Sequence, residues 1–218
     1  MNKKWLVIST AAAVVVAFVA GAAFLRERST QEVAQAAQTN NDAFVRPHSP
    51  VFGNPAAKVT IVEFFDPSCE TCRACYPAAW SSVPSSFVQG RLVGRCAAGD
   101  EGSDTAVKII EGARQQGRYW EVVEKVLADQ PRWAAHDNPQ PEMIWDIVKD
   151  LGVDVAKAKA AAASPEVEQV LRQDTADMKA LKVTGTPGFF VNGPPLRDFG
   201  AVQLKALVDE EIKKQKAP

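Results

Sequence analysis

Cysteine, histidine and net charge are all in short supply in this sequence. Four cysteines among 218 residues are too few to staple a domain of this length as a disulfide scaffold. The two histidines, His48 and His136, have no neighbour at metal-ligand spacing, so neither is assigned a function. A net charge of −1 leaves no electrostatic footprint for nucleic acid or another polyanion. No internal repeat is present. What remains is the composition of a packed globular protein, 46% hydrophobic and 23% charged. The length suits one domain carrying a tail or an insertion.

One long stretch lacks charge altogether. After Lys3 and Lys4, residues 5–25 carry no charged side chain, and Arg26, Glu27 and Arg28 close the run. A helix crossing a bilayer needs about 20 apolar residues, whereas the apolar core of a secretory signal spans about 7–15. The length favours an uncleaved anchor. The alanine content and the small-residue step Ala20-Gly21-Ala22 fit a cleaved signal. Residues 1–28 are therefore read as a signal-anchor or signal peptide. Either places the remaining chain in a periplasmic or other extracytoplasmic, oxidising compartment; as an anchor, residues 5–25 tether it to the inner membrane. Residues 29–50 are rich in Ser, Thr, Gln, Asn and Ala and offer little to bury, which predicts a flexible linker. The folded domain is expected over 51–215.

Val59-Thr60-Ile61-Val62-Glu63-Phe64-Phe65 is β-branched and aromatic without clean alternation, the pattern of a strand buried on both faces. Asp66-Pro67-Ser68 breaks it, and a helix can start at Ser68 or Cys69. A helical block follows. Ser103 can cap a helix with Ala106, Val107, Ile110 and Ala113 on its apolar face. Tyr119, Trp120, Val123, Val126 and Leu127 repeat that spacing. Pro141 can open a third helix and Ser164-Pro165-Glu166 a fourth. Phe189-Phe190-Val191 then reads as a strand, Asn192-Gly193 as a hairpin turn, and residues 201–214 as a final amphipathic helix. The expected order is strand, Cys-containing helix, strand, helical block, strand, hairpin and helix, an α/β layout with the helical block placed as an insertion at about 103–180.

Three of the four cysteines crowd together as Cys69, Cys72 and Cys75, which favours reactive or metal-binding thiols over structural ones. Cys69-Glu70-Thr71-Cys72 follows a buried strand and opens a helix. A sulfur there faces unpaired backbone N–H groups and the positive end of the helix dipole, both of which favour the thiolate, the form that attacks. The two-residue gap lets Cys72 reach back to Cys69 and close a small ring, so Cys69 is read as nucleophile and Cys72 as resolving thiol. Glu63 lies six positions before Cys69. Buried, its carboxyl could relay a proton for Cys72; the plainer reading is a strand-edge carboxylate facing solvent. Thr186-Pro187, flanked by glycines, is a candidate tight turn whose backbone could pair with an extended substrate.

Val62-Glu63-Phe64-Phe65, the Cys69-x-x-Cys72 motif and the late Gly185-Thr186-Pro187-Gly188-Phe189 together resemble the DsbA-like branch of the thioredoxin superfamily, over roughly residues 55–212. The resemblance implies a thioredoxin-like fold with a helical insertion, attack by Cys69, resolution by Cys72, proton movement through Glu63 and a cis Pro187 beside them. It implies a protein disulfide oxidoreductase that exchanges disulfides with exported protein substrates, by disulfide formation or isomerisation. A membrane or periplasmic redox partner is expected; no cofactor and no metal ligand set are assigned. The sequence departs from the pattern in three places. Glu70-Thr71 replaces the Pro-His of the strongest oxidants, Cys75 is additional, and residues 78–100, with Pro84 and serines where a helix and a buried strand are expected, read as a divergent loop or a compensated frame shift. Cys96 is given no role. Two other classes stay open: a copper or iron–sulfur thiol module built on C-x2-C-x2-C, and a non-catalytic, membrane-tethered binding domain that uses the Pro187 groove.

Overall fold

The computed structural model describes residues 3–82, 90–99 and 102–216. Among these, four strands form one sheet: β1 (Val51–Gly53), β2 (Val59–Phe65), β3 (Gly90–Cys96) and β4 (Gly188–Val191), in the order β1-β3-β2-β4. β2 runs parallel to β3 and antiparallel to β4, and β1 is antiparallel to β3. The parallel pair is joined through α2 (Glu70–Ser82), the crossover that parallel strands require. With a neighbour on each side and helices over both faces, β2 buries nearly every residue, which is why its pattern does not alternate. Val59 and Ile61 face Leu92, Val191, Leu204 and Val208. Val62 and Phe64 face Val93, Leu181 and Phe190 on the other side.

The strand expected after the Cys-containing helix is β3, and it lies inside the segment that reads as a divergent loop. Residues 90–96 pair with the whole of β2, from Val59↔Gly90 to Phe65↔Cys96. Its two arginines disguise it. Arg91 donates to Thr60 Oγ1 and the Pro55 carbonyl. Arg95 is wholly buried, and its guanidinium bridges Asp174 and Asp177 at 2.7 and 2.5 Å and the Ala43 carbonyl at 2.6 Å. A buried charge is tolerable when paired and hydrogen-bonded in this way. Pro84 lies outside the described residues.

The helical block comprises α3 (Ser103–Arg114), α4 (Tyr119–Ala128), α5 (Gln130–Trp133), α6 (Ile144–Asp150), α7 (Val155–Ala162) and α8 (Pro165–Ala180). Their apolar stripes meet around Val107, Ile110, Val122, Val126, Trp133, Ile144 and Val148. Ser164 caps α8 by accepting the Val167 N–H. Ser103 does not cap α3: Gly102, at φ 83°, occupies the N-cap, and the Ser103 hydroxyl turns to Asp66 instead. Gly112 lets α3 touch α7, since a Cβ there would lie 2.4 Å from the Ala158 carbonyl oxygen.

Asn192 and Gly193, both at positive φ (51° and 113°), make the expected turn after β4. Its return arm is a single bridge, Phe190↔Pro195. α9 (Ala201–Lys216) closes the fold over the Val59–Ile61 face.

Residues 29–50 are not the flexible linker their composition suggests. α1 (Lys3–Thr39) continues as helix past the apolar run as far as Thr39, and a 3₁₀ turn follows at Asn41–Ala43. Ala37, Ala43 and Phe44 are buried against the sheet, and Ala36 is buried next to them in the chain. Arg46 donates to Asp177 at 2.6 and 2.9 Å, and His48 lies 2.8 Å from Asp174. The small alanines suit close packing, and the two basic residues find carboxylates that their own neighbourhood in sequence does not reveal. The apolar part of α1 is long enough to cross a membrane and is not buried in the protein.

Candidate active site

The site begins where β2 stops. Asp66 is buried at the strand end, and its carboxylate organises the turn. One oxygen accepts the Ser68 N–H at 2.7 Å and the Ser103 hydroxyl at 2.6 Å; the other accepts the Gly99 N–H at 2.7 Å. The Asx turn fixes where the chain leaves the sheet. Cys69 follows, its N–H bonded to the Asp66 carbonyl at 3.1 Å and its own carbonyl accepting the Arg73 N–H at 3.1 Å. Cys69 thus stands at the N-terminal end of α2.

The two thiols differ sharply. Cys69 is part-exposed and Cys72 is buried, 1% accessible. The Cys72 N–H donates to the Cys69 sulfur at 3.4 Å. The Cys69 thiol reaches the Thr186 carbonyl, also at 3.4 Å. The Thr186–Pro187 peptide bond is cis, and Gly188 beyond it starts β4. So the CxxC turn and the Thr186-Pro187 loop, 117 residues apart, share one site. Burial pushes the Cys72 thiol well above its ordinary range. Burial also raises the thiol of Cys75, which is half-buried further along α2.

Glu63 sits on the central strand and is buried, so it is not a solvent-facing edge residue. No described side chain hydrogen-bonds its carboxyl. Burial lifts its pKa from the ordinary 4.5 to about 8, which leaves it mostly protonated at neutral pH. When it does ionise, its charge adds to the burial that raises Cys72, Cys75 and Tyr76. The structure therefore brings Cys69, Cys72, Thr186 and Pro187 together, with Glu63 in electrostatic reach of the buried sulfur.

The remaining candidates fall elsewhere. Cys96 is buried on β3, where burial raises its thiol and Tyr119 Oη lies 3.7 Å away. That is the setting of an inert cysteine. His136 is exposed, 3.6 Å from Glu70, and His48 serves the Asp174 pairing. Among the described residues no three Cys, His, Asp or Glu side chains are grouped to hold a metal ion.

Sequence reasoning missed Gln130. It is 2% accessible and comes from α5, yet its side-chain amide donates to the Pro67 and Cys69 carbonyls at 2.7 and 2.9 Å. Its oxygen accepts Arg73 Nε–H at 3.1 Å. Only the oddity of a glutamine just before Pro131, at the end of an apolar stripe, could have pointed to it.

Comparison with known proteins agrees with this geometry. A Rickettsia conorii protein named as a protein-disulfide oxidoreductase is 25% identical over 171 residues, covering 76% of this chain and 61% of its own. The chain thus spans about three-fifths of the length of the curated relatives it matches. The crystal structure of a thioredoxin-like oxidoreductase from Silicibacter pomeroyi superposes with a TM-score of 0.68 at 28% identity, over 82% of this chain and 99% of that one. The thiol-disulfide exchange protein alpha-DsbA2 of Wolbachia pipientis shares the fold with a TM-score of 0.71 at 20% identity, over 84% and 97%. The sequence profile described as thioredoxin matches residues 46–210, well over half of the sequence, and the chain belongs to the thioredoxin family.

Proposed function

We propose that this chain is a protein thiol–disulfide oxidoreductase that acts on exported proteins beyond a membrane. The observation that carries the reading is the asymmetric pair: a part-exposed Cys69 sulfur receiving the Cys72 N–H at 3.4 Å, with Cys72 itself buried. Only the outer sulfur can meet a protein substrate, and only the inner one is placed to displace it.

In the oxidising direction a substrate thiolate attacks the Cys69 sulfur of a Cys69–Cys72 disulfide. The S–S bond breaks, a mixed disulfide forms on Cys69, and Cys72 leaves as a thiolate. A second substrate thiolate then attacks the substrate's sulfur, so the substrate gains a disulfide and Cys69 and Cys72 are reduced. The reducing direction runs the same steps backwards. A buried Cys72 thiolate is costly, and protonated Glu63 supplies the proton when Cys72 leaves and takes it back when Cys72 attacks. The backbone of the cis Thr186–Pro187 segment offers an edge for an extended peptide next to Cys69. The activity in the name of the Rickettsia relative agrees with this chemistry. The apolar part of α1 supports membrane attachment through the N-terminal segment and, with it, a periplasmic or equivalent location for the domain. A membrane or periplasmic partner would restore the redox state after each turnover.

The test is disulfide exchange with insulin. The wild-type protein should catalyse it and Cys69→Ser should abolish it; full activity in that variant refutes the assignment.

A further inference from the structure

We infer that Gln130 is a positioning residue for the dithiol, a clamp by which the helical block holds the Cys69 turn. The inference rests on the oxidoreductase reading and deepens it. Pro67 and Cys69 flank Ser68 at the point where the strand becomes a helix. Their carbonyls both accept from one buried amide group, at 2.7 and 2.9 Å. The two carbonyl contacts set the carboxamide's rotamer, and its oxygen, on the far side, receives Arg73 Nε–H at 3.1 Å. Gln130 reaches the turn from α5, which packs with Trp133 in the helical core. No bond within α2 can hold the Pro67 carbonyl, which lies before the helix.

The consequence differs between redox states. In the dithiol, the aim of the Cys72 N–H at the Cys69 sulfur depends on how the turn is held. In the disulfide, the covalent ring holds the turn by itself. Loosening the clamp should therefore cost the reduced form more than the oxidised one. A residue that merely filled space would destabilise both forms equally and leave the redox equilibrium in place.

The experiment equilibrates the full chain with reduced and oxidised glutathione and measures the fraction of Cys69–Cys72 disulfide. Gln130→Leu and Gln130→Met should shift the equilibrium constant towards the protein disulfide by about three- to tenfold, the scale of a lost hydrogen bond or two. Arg73→Gln, which removes the cation but leaves both carbonyl contacts, should leave the constant within about twofold. An unchanged constant in the Gln130 variants overturns the clamp. So does an equal shift in Arg73→Gln, which would assign the effect to the cation. Hydrogen exchange of the Gln130 side-chain amide in the reduced wild-type protein gives a reading that needs no variant: protection is expected, and free exchange overturns the proposal. If the wild-type pair failed to form a disulfide with glutathione at all, the oxidoreductase reading would fall, a result distinct from any of these.

Discussion

Replacing Glu63 by glutamine should make the reduced protein more stable at neutral pH and less competent in exchange. The carboxyl is buried without a hydrogen-bond partner among the described residues, and its pKa rises from 4.5 to about 8 on folding. Between those values the native state binds the proton that the unfolded chain has released. Unfolding free energy then falls as pH rises, by up to about 1.4 kcal/mol per pH unit, and by pH 7 the accumulated loss is about 3 kcal/mol. The sign follows from native protonation: the contribution is whole below the unfolded value and is lost progressively up to the folded one. Glutamine cannot ionise and escapes the loss, though burying its amide costs about 1 kcal/mol. The variant should thus be about 2 kcal/mol more stable at pH 7 and about 1 kcal/mol less stable near pH 4.5, with the difference levelling off above about pH 8. Urea unfolding of the reduced proteins across this range measures it. A stability difference that stays flat with pH would refute the reasoning, because it would mean that Glu63 titrates alike in both states. In the same variant the Cys72 step should slow by about tenfold or more, since the buried sulfur loses its proton partner.

Other perturbations test the frame around the site. Arg95→Leu removes the buried cation that bridges Asp174 and Asp177 and leaves them to His48 and Arg46; it should cost about 3 kcal/mol in thermal or chemical unfolding. Gly112→Ala drives a methyl to within 2.4 Å of the Ala158 carbonyl oxygen and should lower stability by about 1–3 kcal/mol, while the CxxC chemistry is untouched.

How much of this was legible beforehand depended on whether the cause was local. The β2 strand, the turn at Asp66, the helix opening at Cys69, the stripes of α3, α4 and α8 and the Asn192-Gly193 turn all follow from periodicity and turn chemistry within a few residues. The approach of Cys69 to the Thr186-Pro187 turn was legible through the two motifs. β3 was legible only as a place in the order of elements, because Arg91 and Arg95 look like surface residues until their partners, from Ala43 to Asp177, are in place. The packed course of residues 29–50 was hidden for the same reason: Arg46 and His48 are polar, and their carboxylates lie on α8. Gln130 escaped because its whole role is to reach a turn more than sixty residues away. Ser103 illustrates the opposite error, a residue with the chemistry of a cap whose hydroxyl is claimed by Asp66.

The central claim is that Cys69 is the sulfur that meets the substrate and Cys72 the one that releases it. The direct measurement is to react Cys72→Ser protein with a disulfide-containing peptide and locate the trapped adduct by mass spectrometry. A long-lived mixed disulfide on Cys69, absent from the wild-type reaction because Cys72 resolves it, is the predicted result. An adduct on Cys75 or Cys96 instead, or wild-type turnover by the Cys72→Ser protein, would contradict the account.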